Sequence, residues 1–192
     1  MNPDTDLAYP LNEFYEQPDV PLPAVARVES ARIPEPYRSL LVHDRDMTPT
    51  LENAYQQTLA LRLLKFRLRG DELSRQVTLV PEGGGSPVAF GTIRIHLQHF
   101  PAAAKQLVLE NHQPLGTILR TQAIEHASRP HAYIRVTADA VINSALGLTA
   151  GGFLYGRRNI IRDGAENVLA QVIEILAPAD GQLRLNSNGA KR

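Results

Sequence analysis

Two charged residues stand where strand periodicity asks for apolar ones. In the stretch 168–177, a period of two places Val168, Ala170, Val172, Glu174 and Leu176 on one face. Four are apolar and the fifth is a carboxylate, which is costly to bury unless it is hydrogen-bonded or paired with a cation. Upstream, Arg75, Val77 and Leu79 share one face of a second strand, while Ser74, Gln76 and Thr78 share the polar one. Arg75 is therefore the partner expected for Glu174. Two readings stay open at this point. One is a structural ion pair or a slipped register; the other is a cavity whose guanidinium fork takes a ligand carboxylate beside an acid.

The other candidates are weaker. His43, His96, His99, His112, His126 and His131 show no tight metal-ligand spacing, and no serine sits in a nucleophile-elbow context. Gly83-Gly84-Gly85 lacks the spacing and the following lysine of a phosphate loop, so it reads as a hairpin tip. Arg157-Arg158 reads as a basic surface patch, with direct anion binding the alternative, and Met47 as a gap-filler beside a helix start.

The elements that must position Arg75 and Glu174 follow from pattern and punctuation. Asp163-Gly164 marks a hairpin between a strand around 155–162 and the one carrying Glu174. Residues 58–69 alternate, but their phase slips at Leu63-Leu64, the signature of a β-bulge. Strands are expected at 75–80, 88–97 and 131–137. Short helices are expected at 36–42, at 48–56 with Thr48 as N-cap and Pro49 next, at 102–109, at 114–120 and at 138–146. Adjacent hairpins with a few helices between them indicate an antiparallel α+β domain. Seven of the fourteen prolines fall within residues 1–36, so 1–35 is expected to be an irregular arm, pinned by Leu11, Phe14 and Tyr15. The domain proper is expected over 36–178, with a fraying tail at 179–192.

Composition bounds the function. The chain has 192 residues, 43% hydrophobic and 21% charged, with a formal net charge of zero. That leaves no electrostatic footprint for nucleic acid or an anionic membrane. There is no cysteine, and the N-terminus lacks a signal-peptide pattern, so a cytoplasmic protein is expected. Seventeen of the twenty basic residues are arginine, a bias of base composition or of carboxylate recognition.

Four segments, in order, carry a resemblance. They are Leu40-Leu41 to Asp46-Met47-Thr48, Arg75-Gln76-Val77, Gln113-Pro114-Leu115-Gly116-Thr117-Ile118-Leu119, and Gly156-Arg157-Arg158 through Ile173-Glu174 to Pro178. Over about residues 36–178 the chain resembles the chorismate lyase (chorismate–pyruvate lyase) family and its uncharacterised relatives. Tyr155 departs from that pattern, which has Trp before Gly-Arg-Arg. The resemblance implies a six-stranded antiparallel sheet with a ligand buried under helical flaps. It implies conversion of chorismate to 4-hydroxybenzoate and pyruvate without metal or cofactor, in ubiquinone biosynthesis. It also implies catalytic roles for Arg75 and Glu174 and ligand contacts at Arg75, Met47, Leu115 and Glu174. Effector-binding domains of some bacterial transcription regulators look like the same fold, so the alternative is a non-catalytic domain that binds an aromatic carboxylate. Partners are accordingly a small molecule, with neither nucleic acid nor membrane.

Overall fold

The computed structural model describes residues 6–15, 20–149 and 152–179. Residues 180–192 of the expected tail, and 1–5 and 16–19 of the expected arm, lie outside the described residues. The architecture is α+β, a large antiparallel sheet flanked by helices. In chain order the elements are β1 (Val25–Val28), α1 (Tyr37–Leu41), α2 (Met47–Tyr55), β2 (Leu59–Arg69), β3 (Glu72–Pro81), β4 (Ala89–His96), α3 (Ala102–Glu110), α4 (Leu115–Thr121), β5 (His126–Thr137), α5 (Ala140–Leu146), β6 (Phe153–Asp163) and β7 (Val168–Leu176). The sheet order is β1-β5-β6-β7-β4-β3-β2, and all neighbours pair antiparallel.

The described sheet has seven strands rather than six. The extra one comes from the arm, where Val25-Ala26-Arg27-Val28 is a proline-free run able to supply ladder N–H groups to β5. Leu11, also in the arm, is fully buried, and Tyr15 nearly so. The expected bulge in β2 is present: the register shifts between Leu63 and Lys65. Strand β5 begins five residues earlier than Pro130 led the pattern to suggest. Pro130 is tolerated because β1 pairs only with Tyr133–Val136, leaving that side of β5 open, and because a second bulge follows it. The β6–β7 hairpin closes through Asp163, whose Oδ1 accepts from the N–H groups of Ala165 and Asn167 at 2.9 and 2.8 Å. Its left-handed residue is Glu166 (φ 64°) rather than Gly164.

Both faces of the sheet are covered. On the front, Leu73, Ile93, Ile95 and Val172 pack against Val108, Leu115, Ile118 and Leu119 of α3 and α4. Beside them, Ala89 and Leu176 pack against Leu41, Met47 and Leu51 of α1 and α2. On the back, Phe90, Ile134, Ile173 and Ile175 pack against Leu11 and against Ile142 and Leu146 of α5. The polar set Ser74, Gln76 and Thr78 lies on this back face and is buried too, at 5%, 1% and 0% exposure.

Helix α2 starts two residues before the expected position, with Asp46 rather than Thr48 at the N-cap. The Asp46 carboxylate caps no backbone N–H. Instead its Oδ2 meets His126 Nε2 at 2.9 Å, tying the start of α2 to β5, while His126 Nδ1 lies 2.8 Å from the Ile124 carbonyl oxygen. The Asp46 hydrogen bond raises the His126 pKa, against the opposing effect of burial. Helix α4 closes against the same point, since a Cβ on Gly116 would stand 3.5 Å from Asp46 Cβ.

Two outcomes follow from this packing. Gly156 on β6 faces the Glu174 carbonyl so closely that an added Cβ would fall 2.3 Å from that oxygen. Gly156→Ala should therefore lower unfolding stability by about 1–3 kcal/mol, the cost of overpacking, as measured by urea denaturation. His126, with its raised pKa, contributes stability that is complete below the unfolded-state value of about 6.5 and lost as pH rises through the folded-state value. His126→Gln should then destabilise more at about pH 6 than at about pH 9, by thermal melts at the two pH values.

Candidate functional site

The front face carries one cavity of about 80 Å³ between the sheet and the starts of α2 and α4. Its floor is two cross-strand rows. One runs Arg75, Ile93, Val172, Asn159 across β3, β4, β7 and β6; the other runs Val77, Gly91, Glu174 across β3, β4 and β7, and its register continues beyond the cavity lining to Arg157 on β6. Residues paired directly across antiparallel strands point to the same face, so all eight share the front. Met47 and Leu115, 3% and 5% exposed, also line it, each at the first residue of its helix, as do Asp46 and Gly116. Gly91 leaves the floor low beside Glu174.

Arg75 is 1% exposed. Its Nη2 donates to the Gln113 carbonyl oxygen at 3.2 Å, while Nε and Nη1 have no partner. Burial lowers its pKa to about 10, still high enough to keep the guanidinium charged at neutral pH. A buried cation with unused donors is an expensive arrangement. The open donors belong to a residue that lines the cavity.

Glu174 is not the counter-ion of Arg75. Its Oε2 accepts from Arg157 Nε at 2.6 Å. The reason is register: Arg157 is paired directly with Glu174, whereas Arg75 lies two strands away beyond β4. Arg157 is itself 0% exposed, so the expected basic surface patch is absent. Its Nη1 donates to the His43 carbonyl oxygen and its Nη2 to that of Arg45, both at 3.0 Å. One guanidinium thus pins the loop before α2 to the sheet. Neighbouring Arg158, equally buried, points to the back and donates from Nε to the Tyr9 carbonyl oxygen at 3.1 Å. Desolvation, and then the Arg157 charge, lowers the His43 pKa. Neutral His43 can accept at Nδ1 from the Arg45 N–H, 3.1 Å away.

Sequence reading overlooked Asn159 and Ser128. Asn159 is 1% exposed and Ser128 6%, and both line the cavity. Asn159 Nδ2 donates to Ser128 Oγ at 2.6 Å, and Asn159 Oδ1 has no partner. Strand parity applied to β6 would have found Asn159, since Arg157, Asn159 and Ile161 share a face. Ser128 lay before the expected start of β5 and carried no signal.

The remaining polar clusters belong to the back. Arg94 pairs with Glu13 of the arm and with Glu72, and Ser74 also bonds Glu13. His96 sits 3.3 Å from Gln171 Oε1 and 3.6 Å from Glu72. Among the described residues no group of three His, Asp or Glu side chains is placed to hold a metal, and no helix is long and apolar enough to cross a membrane.

No family model matches the chain, and no curated protein does so at a significant level. Solved structures do. The effector domain of PhnF from Mycobacterium smegmatis aligns with a TM-score of 0.55 and 14% identity, over 72% of this chain and 91% of that one. Longer PhnF from the same organism aligns with a TM-score of 0.54 and 14% identity, over 71% of this chain. The chain spans 65% of that longer protein. A GntR-family transcriptional regulator from Enterococcus faecalis V583 aligns more loosely, with a TM-score of 0.43 and 12% identity, over 86% of this chain and 96% of that one. The two PhnF likenesses establish the fold. They also correct the expectation of a chorismate–pyruvate lyase and of a place in ubiquinone biosynthesis: the matching fold is that of the PhnF effector domain, and no family model or curated relative names a lyase.

Proposed function

We propose that this chain is a non-catalytic domain that binds a small aromatic carboxylate in the front cavity. Arg75 carries the reading: a buried, charged guanidinium with two unpartnered nitrogens lines a mainly apolar pocket. A carboxylate there would satisfy both nitrogens, and charge-assisted bonds of this kind are the strong ones. Ile93 and Val172 give the ring an apolar floor, and Met47 and Leu115 close over it. Glu174 borders the site, with Arg157 holding one of its oxygens. The shared fold with an effector domain supports binding as the activity.

Calorimetric titration with benzoate and 4-hydroxybenzoate tests this. Binding is expected, and Arg75→Met should weaken it by at least about tenfold, from the ~1.5–3 kcal/mol of hydrogen bonds to a charged group. The same substitution removes an unpaired buried charge, so the unliganded variant should melt at the same temperature as the parent or higher. Undiminished binding by Arg75→Met, or no binding of either acid by the parent, would sink the proposal.

A further inference from the structure

Water scarcely reaches the residues that line the front cavity. Arg75, Met47 and Leu115 are 1%, 3% and 5% exposed, so an aromatic ring gains the guanidinium only after part of the wall gives way. Beside the cavity lies a wider cleft of about 420 Å³, whose lining includes Asp44, Arg45, His126 and Arg129. Asp46 and Ser128 line both spaces, so the Asp46–His126 contact stands at their common wall. The restraints on this stretch of chain are unequal. Arg157, 0% exposed, grips the 43–45 loop through two carbonyl oxygens. Asp46 and His126 are joined by one hydrogen bond between side chains 18% and 16% exposed. That contact is the one that yields.

It also needs a proton. His126 Nδ1 lies 2.8 Å from the Ile124 carbonyl oxygen, an acceptor, so Nδ1 carries a hydrogen. In a neutral ring Nε2 would then be bare, facing the Asp46 carboxylate acceptor to acceptor at 2.9 Å. Only the doubly protonated imidazole satisfies both neighbours. Once the ring is neutral, the Asp46 carboxylate has another place to go. Its backbone is already extended as an N-cap requires (φ −63°, ψ 143°), yet the side chain caps nothing, and the Thr48 N–H lies in the first turn of α2. Building on the carboxylate reading above, we infer that the ligand enters the cavity from the cleft, past Asp46 and His126, and that loss of the His126 proton opens this door. The raised pKa of His126 gives the same sign: the contact is made below that value and lost above it. The other charged groups nearby do not replace it. Asp163 of β6 is in register with His126, but its carboxylate accepts from Ala165 and Asn167 in the hairpin turn. Glu125 lies toward Gly164, and α4 meets Asp46 with the uncharged Gly116. His43, its pKa lowered, loses its proton before His126 does as pH rises. Asp44, Arg45 and Arg129 line the cleft, where the two cations stand on the path of an incoming carboxylate.

Exchange kinetics test this in the unaltered protein, with 3-fluorobenzoate followed by fluorine NMR line shapes at about pH 6 and about pH 9. Rates of entry and exit should rise together by at least about fivefold at the higher pH, with the dissociation constant moving less than about threefold, because a door serves both directions alike. Arg75, with its pKa at about 10, stays predominantly charged across that range. Asp46→Asn should exchange slowly at both pH values, since an amide donates to a bare Nε2 and accepts from a protonated one. His126→Ala should exchange fast at both. Equal rates in the parent at the two pH values would overturn the inference while leaving the carboxylate site standing. So would a pH dependence that survives in both variants, or one confined to affinity with the exit rate unchanged. Failure of 3-fluorobenzoate to bind at either pH would remove the underlying reading and the inference with it.

Discussion

A guanidinium sealed from water must find an acceptor for its N–H groups or bear the cost of leaving them bare. The front face buries two, with opposite solutions. Arg157 spends its donors on protein: one on Glu174 and two on the carbonyls of His43 and Arg45. Arg75 spends one, on Gln113. The first arrangement holds a loop in place and the second leaves a vacancy, so the division between scaffold and site runs between two residues of the same type.

The satisfied arginine comes first in that logic. By drawing the 43–45 loop onto the sheet, Arg157 sets where α2 begins, and the Asp46–His126 bond fixes that start from the other side. Met47 then lies over the floor. Helix α4 reaches the same place through Gly116, where a side chain would press on Asp46. The roof is therefore two helix starts brought together by polar contacts, above a floor whose middle is Val, Ile and Gly.

Much of this was legible in the chain. The bulge at Leu63-Lys65 shows as a phase slip because a strand's faces alternate strictly, and Arg75 and Glu174 stand out because a charge on an apolar face violates the same alternation. Their pairing was not legible, because alternation reports which face a residue occupies and says nothing of which strand lies next to it. Only the order β3-β4-β7-β6 shows that Glu174 neighbours Arg157. Asn159 was obscured by the two arginines before it, read as surface charge. Strand β1 was hidden by the prolines around it, and the start of β5 by Pro130, which an unpaired stretch of strand tolerates. The fold class survived these errors because it depends on the pattern of hairpins, whereas function depends on neighbours.

Arg157 and Arg158 are joined by one peptide bond and face opposite ways. The first grips the loop above the cavity and the second grips the backbone of the N-terminal arm at Tyr9, behind the sheet. Successive side chains of a strand point to opposite faces, so two adjacent residues of β6 hold the loop over the pocket on one side of the sheet and the backbone at Tyr9 on the other.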